Sequence, residues 1–224
     1  MQTANDILLL EKHLDFWEHL TDSQQEYLIS NTKSVHYSAG EFLHYADSDC
    51  LGLLLIKSGQ IRTFLLSEEG REITLYRLEQ GDICILSASC ILHSISFEVS
   101  ITAETDCEIL QISSFAFAKI SSENIYAECF SYKLAADRFS DVMWAMQELL
   151  FTSFDKRLAA FLLDESEKQH SNTVSMTHQQ IAGHLGSARE VVSRMLKYFS
   201  TEGYISLSRG HITILDRDRL ESIL

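Results

Sequence analysis

MTHQQIAGHLGSAREVVSRMLKYFSTEGYISLSRGHITILDRDRL, residues 176–220, carries two short helical patterns followed by two short strand patterns. Thr177 has the side-chain oxygen that accepts a backbone N–H at a helix start, and the helix it opens turns Ile181, Ala182 and Leu185 toward a core. Gly186 then supplies the turn, because glycine enters the left-handed region without steric cost. Ser187 is expected to cap a second helix, which Val191, Val192, Met195, Leu196 and Phe199 hold on the core. Ala182 is small where the two helices must cross closely. Two strand-like runs, Tyr204–Leu207 and His211–Leu215, flank Ser208-Arg209-Gly210 and predict a hairpin. The sum is a helix-turn-helix with a wing.

The polar face of the second helix carries the chemistry. Arg189, Glu190, Ser193 and Arg194 occupy its first turns, opposite the Val192, Met195, Leu196 stripe. A helix presented this way fits the major groove, about 12 Å wide, with its N-terminal side chains at base edges. A guanidinium matches guanine O6 and N7 as a two-donor fork, whereas a carboxylate accepts from cytosine N4 and repels phosphate. Glu190 therefore separates base reading from plain charge attraction. The competing interpretation is a solvated face with a Glu190–Arg194 pair one turn apart, worth about 0.2–0.5 kcal/mol.

Further upstream, Ile125, Cys129, Tyr132, Ala136, Phe139, Met143, Met146 and Leu150 are spaced alternately by four and three residues. Such an a/d seam, sustained for more than three heptads, predicts a long helix packed lengthwise on another. The rest of the chain offers no second seam of matching length, so self-pairing across a two-fold axis is preferred to packing on the chain's own barrel. Another helix follows from Ser153, with Phe154, Leu158, Phe161 and Leu162 as its apolar face, before a polar stretch from Glu165 to Thr173.

From Ser34 to Ser113 the chain changes character. Short runs rich in Val, Ile, Leu, Phe, Tyr and Thr are punctuated by Gly40, Gly52, Gly59, Gly70 and Gly81, which predicts an antiparallel sandwich or barrel. Ser67-Glu68-Glu69-Gly70 is the clearest hairpin turn. Ahead of it, Ile7, Leu10, Leu14, Trp17 and Leu20 fall at helical intervals, and Thr21-Asp22 restarts a second short helix. The expected class is α+β, in three parts: a helical lead-in with a jelly-roll-like antiparallel β-roll over 1–121, a dimerisation helix over 122–152, and a winged helix-turn-helix over 153–224.

Composition is that of a folded globular chain, with 46% hydrophobic and 22% charged residues and no proline, so turns rely on Gly, Ser, Asn and Asp. The net charge of −14 argues against a polyanion partner until its distribution is considered. Residues 1–172 hold 12 basic and 27 acidic side chains, whereas 173–224 hold 6 and 5. Only the tail approaches DNA cheaply. The basic n-region of a signal peptide and the apolar length of a membrane span are missing, so a cytoplasmic protein without membrane contact is expected. There the five cysteines Cys50, Cys84, Cys90, Cys107 and Cys129 would remain thiols.

The run from Gln179 to Ile205, with its R-E-x-x-S-R stretch at Arg189–Arg194 and the wing after it, resembles the winged helix-turn-helix of bacterial Crp/Fnr transcription regulators. Ser38-Ala39-Gly40-Glu41, Ser58-Gly59-Gln60-Ile61, Glu69-Gly70-Arg71-Glu72-Ile73, Gly81-Asp82 and Ala103–Ile109 resemble the glycine-punctuated β-roll of the same family, and the heptad helix lies where that family dimerises. The resemblance implies a homodimer on a near-palindromic site, contact with RNA polymerase, and affinity for double-stranded DNA adjusted by a small-molecule or redox effector sensed in the β-roll. Arg189, Glu190 and Arg194 match the family's base-reading positions, and Ser193 stands where one branch has serine, which implies half-sites with a TGA-type core. Thr177, His178, Ser187, Lys197 and Arg209 are placed to meet phosphates, with His178 replacing a more basic residue of some relatives.

The cyclic-nucleotide branch places a glutamate and an arginine after the Gly81 turn. Here that stretch, which supplies the candidate effector-pocket residues Cys84, Leu86, Ser87, Cys90 and Phe97, has no Arg or Lys between Arg77 and Lys119. A buried phosphate would lose its charge-assisted bonds, so a cyclic nucleotide is not expected. No cysteine precedes Cys50, which disfavours the iron–sulfur branch. Cys84 and Cys90, as a redox pair or with His93 around a metal, stay open as alternatives at weak spacing, and haem stays open because His36, His44 and His93 lie in the sensor, although no axial ligand can be nominated. No cofactor is therefore assigned. A cupin-like β-barrel metal enzyme is the alternative from another class, but HxH, HExxH, GxSxG, P-loop and GxGxxG motifs are all missing, so no enzyme is expected. A second alternative is an effector-independent DNA-binding member of the same family.

Overall fold

A computed structural model describes residues 3–45, 50–85 and 99–224. It divides into two compact units, Met1–Leu65 with Leu75–Val142, and Leu66–Thr74 with Met143–Leu224. Helices α1 (Ala4–His13) and α2 (Asp22–Ser30) precede strands β1 (Thr32–Tyr37), β2 (Phe42–His44), β3 (Leu53–Ser58), β4 (Ile61–Leu66), β5 (Glu72–Leu78), β6 (Ile83–Cys84), β7 (Ser100–Ala103) and β8 (Cys107–Ile112), which belong to the first unit except for the facing ends of β4 and β5. These form two four-stranded sheets in the orders β1-β8-β3-β6 and β2-β7-β4-β5. The chain is α+β, with the antiparallel β-roll that its alternating, glycine-punctuated runs imply. Residues 67–70 turn between β4 and β5, with Gly70 N–H donating to Ser67 O at 2.9 Å.

The lead-in differs in detail from its periodicity. Thr3 and Thr21 each close a capping box, but α1 ends at His13, so Leu14 and Trp17 reach the core from a cap and a 3₁₀ turn rather than from a continuing helix. Asp6, buried on α1, binds the Lys57 ammonium of β3 at 2.8 Å. Burial pushes its carboxyl up, but the hydrogen bonds from Lys57 and Thr3 outweigh this and hold it below the usual carboxylate value.

Gly52 sets a sharp limit on the entry to β3. Its φ is +96°, and a Cβ there would lie 2.0 Å from the backbone oxygen of Ile112 on the paired strand β8. Both the left-handed backbone and the close approach exclude a side chain. Gly52→Ala should destabilise the roll by roughly 2–4 kcal/mol, read as an earlier urea midpoint. A midpoint equal to wild type would contradict this.

Helices α3 (Ser114–Glu123) and α4 (Ile125–Phe151) follow. Asn124 breaks the path between them, its carboxamide oxygen accepting the Tyr126 and Ala127 N–H groups at 2.9 and 3.3 Å. Ala127, Phe130 and Ser131 are buried, and Leu134, Ala135 and Val142 pack partly buried against the roll core. Ile125, Cys129, Tyr132, Ala136, Phe139, Met143, Met146 and Leu150 are all exposed. The heptad seam is thus a second, uncovered face of the helix. Cys84, Cys107 and Cys129 are free, whereas Cys50 is disulfide-bonded, which corrects the expectation of five thiols. Spacing along the chain does not show which cysteines meet in the fold.

The second unit contains α5 (Phe154–Lys168), β9 (Thr173–Val174), α6 (His178–Leu185), α7 (Arg189–Thr201), β10 (Ile205–Ser208), β11 (His211–Ile214) and α8 (Arg217–Glu221). Leu158, Leu162, Ile181, Val192, Leu196, Phe199 and Ile212 form its core. α5 runs further than its polar end implies. Glu165 and Ser166 are buried within it, the Ser166 hydroxyl donating to Ser171 O at 2.7 Å. β9 adds a third strand to the wing through β11, and Thr173 and Thr213 share a hydroxyl hydrogen bond of 2.9 Å. Among the described residues no helix is long and apolar enough to cross a membrane.

Candidate nucleic-acid interface

Helix α6 starts where its cap dictates. Thr177 Oγ1 accepts the Gln180 N–H at 3.2 Å, and Gln180 Oε1 accepts the Thr177 N–H at 2.8 Å and the Thr177 hydroxyl at 2.8 Å. The Thr177 hydroxyl proton is therefore committed inside the box. At the other end Gly186 takes φ 58°, ψ 42°, and its N–H returns to Ala182 O, the left-handed closure that a glycine there predicts. Arg157 of α5 donates from Nη1 to Leu185 O at 2.8 Å, satisfying a last-turn carbonyl with a cation at the negative end of the helix dipole. Burial pushes the Arg157 guanidinium below its usual value, in keeping with a structural rather than solvent-facing role.

Helix α7 corrects the expected cap. Its N-cap is Ala188, with no side-chain cap hydrogen bond, and Ser187 instead donates its N–H to Ala182 O at 2.9 Å within the turn. The tight turn consumes Ser187, so the helix opens one residue later. Behind the helix, Val192, Leu196 and Phe199 are buried; in front, Arg189, Glu190, Arg194 and Lys197 are exposed, with Ser193 half-buried beside them.

The cations of this unit fall into two groups. Arg217 is tied to Glu167 and Glu221, and Arg219 donates to Glu202 O and lies over the Tyr204 ring at 4.7 Å. Among the described residues, Arg189, Arg194, Lys197 and Arg209 make no ion pair, and the Glu190–Arg194 pair that their spacing allows is not formed. Four cations and one carboxylate thus stand on α7 and the wing without internal partners. An open cleft of about 650 Å³ runs between the start of α6, the start of α7 and the wing, lined by Thr177, His178, Gln179, Arg189, Arg209 and His211 among others.

The cleft gathers Thr177, His178 and Arg209 from the predicted phosphate set beside Arg189, whereas Ser187 and Lys197 do not line it. Gln179 and His211 line it too and escaped sequence reasoning, because a single polar residue on a first helical turn or a wing strand has no distinguishing pattern. His178 Nδ1 lies 2.7 Å from Ser193 Oγ, joining a residue assigned to phosphate with one assigned to bases. In the β-roll, Cys84 of β6 is fully buried, while Leu86, Ser87, Cys90, His93 and Phe97 lie outside the described residues. Among the described residues, no three His, Cys, Asp or Glu side chains gather as a metal site.

Comparison with known proteins places these features in one family. A cyclic nucleotide-binding domain profile matches residues 34–124, and a Crp-like helix-turn-helix domain profile matches residues 156–223. A crystal structure of a Crp/Fnr-family protein from Eubacterium rectale ATCC 33656 is 47% identical, covers 95% of this chain and 98% of its own, and superposes with a TM-score of 0.91. The nitrogen fixation regulation protein FixK of Bradyrhizobium diazoefficiens is 29% identical over 85% of this chain and 81% of its own length. The cAMP-activated global transcriptional regulator Vfr of Pseudomonas aeruginosa is 25% identical over 80% and 87%. With a β-roll, a long helix and a winged helix-turn-helix at matching places, the chain belongs to the Crp/Fnr family of DNA-binding transcription regulators.

Proposed function

We propose that the protein acts as a homodimer on a near-palindromic operator, reading bases with Arg189, Glu190, Ser193 and Arg194 and holding phosphates with His178, Lys197 and Arg209. The observation that carries this reading is the front of α7: guanidinium and carboxylate groups exposed and, among the described residues, free of ion pairs, on a helix whose back is fixed in the core. Two such helices one DNA turn apart, about 34–36 Å, would read half-sites with a TGA-type core. Pairing falls to the exposed seam of α4, in a dimerisation segment over 122–152 between a sensor part, 1–121, and a DNA-binding part, 153–224. The protein works in the cytoplasm, where it touches RNA polymerase, and it performs no enzymatic step.

The effector is a small molecule or a redox signal other than a cyclic nucleotide. Supporting this, three cations on the strands of the roll are already engaged: Arg77 binds Glu104 at 2.8 Å, Arg62 lies 3.9 Å from the same carboxylate, and Lys57 binds Asp6, while Lys33 of β1 is exposed. The stretch from 78 to 118 holds no Lys or Arg, so it offers a cyclic phosphate no charge-assisted hydrogen bond of its own. On this proposal the chain shares the roll of the cyclic nucleotide-binding domain without its phosphate site.

Selection from a random duplex pool, followed by salt titration on the recovered sites, tests the reading. Two inverted half-sites are expected, with affinity falling roughly 10³-fold between 50 and 200 mM salt as counterions are released, despite the acidic pI. Recovery of no consensus, or a flat salt response, would remove it.

A further inference from the structure

His178 and Ser193 meet across the crossing of α6 and α7, with Nδ1 and Oγ 2.7 Å apart in a partly buried contact. One is the first residue of α6 and lines the cleft beside Thr177, Arg189 and Arg209; the other sits one turn into α7 beside Arg189 and Arg194. A serine hydroxyl has one proton and two acceptor positions, so the bond it makes inside the protein decides what it offers outside. If the hydroxyl donates to Nδ1, Ser193 presents only lone pairs and selects a base amino group, cytosine N4 or adenine N6. If the ring donates from Nδ1, the hydroxyl proton is released toward a base acceptor. The ring also removes rotational freedom that an isolated serine would have to lose on binding.

We infer that His178 is a specificity-determining residue: it acts through Ser193, holding that hydroxyl in one orientation and setting whether it donates to or accepts from a base. This rests on the base-reading role proposed for α7. It is additional to the phosphate contact proposed for His178, which strengthens binding to every sequence alike. Because the same ring lines the cleft where the phosphate backbone would run, seating the backbone and orienting the serine become one event. Ser193 and His178 then behave as a unit, and their substitutions are not additive.

The test uses the full-length protein and a duplex panel in which each base pair of a selected half-site is changed in turn. Ser193→Ala, His178→Ala, the double variant and His178→Asn are compared with wild type. His178→Asn keeps a hydrogen-bonding group near the place of Nδ1. Ser193→Ala and His178→Ala should each reduce discrimination at the same base pair by about fivefold to tenfold, and the double variant should lose no more than either alone. His178→Asn should restore most of the preference. If His178→Ala weakens all duplexes equally and leaves the preference intact, or if the two losses fall at different base pairs or simply add, the relay is overturned while base reading by α7 stands. If wild-type protein does not discriminate among the duplexes at all, the base-reading proposal falls and the relay with it.

Discussion

Arg189→Ala should raise the dissociation constant for the operator by about 5- to 150-fold per half-site and flatten the preference at a single base pair, while binding to a scrambled duplex changes little. The size follows from what the side chain offers. Arg189 is exposed at the first position of α7, and among the described residues its guanidinium has no internal ion pair to release, so nearly all of its interaction free energy is available for a guanine edge. The alanine variant should unfold at the same temperature as wild type, because the helix is held by Val192, Leu196 and Phe199 on its other side. Lys197→Ala is the matched control: a point charge two turns further along should weaken all duplexes alike and lower the salt slope by about one. Gel-shift titrations on specific and scrambled duplexes separate the two. Equal losses on both duplexes for Arg189→Ala would assign that residue to the backbone rather than to bases.

The parts of this fold that were legible in the sequence are those in which a single residue type answers a local demand. Gly186 is the only residue of its segment that enters the left-handed region cheaply, and it takes that conformation; Thr177 three residues before Gln180 closes a capping box. Periodicity located the face of α7 and the seam of α4 because each is a property of one helix. What stayed hidden depends on partners distant in sequence. Glu165 and Ser166 look like a linker, yet they are buried because Ser171 and the wing fold back over the end of α5. β9 is two residues long and exists only through its pairing with β11. Asp6 reads as a surface carboxylate until Lys57 of β3 is placed beside it. Ser187 appeared to be a cap because serine, one residue after a glycine turn, has the right chemistry; the extra residue used by the turn shifted the helix start to Arg189. The His178–Ser193 bond belongs to the same class, since fifteen residues of helix and turn separate the two groups.

Charge placed on the α4 seam should have the largest effect of all. Phe139 and Tyr132, one heptad apart, are 66% and 59% exposed, and they lie in a row with Ile125, Met143, Met146 and Leu150 that nothing among the described residues buries. A stripe of that length is more apolar than a solvated helix face needs to be, and pairing with its own copy covers it along its whole length. In a parallel pairing, each seam position faces its symmetry mate, so Tyr132→Glu with Phe139→Glu would set like charges against each other twice along the axis. Sedimentation should show a monomer, and operator affinity should fall about 10²- to 10⁴-fold, because the second half-site is no longer delivered at high effective concentration. Folding of the roll should be unaffected, since Ala127, Phe130 and Ser131 face its core and the two substituted positions do not. A double variant that remains dimeric, with unchanged operator affinity, would show that the copies meet elsewhere and that the seam serves another contact.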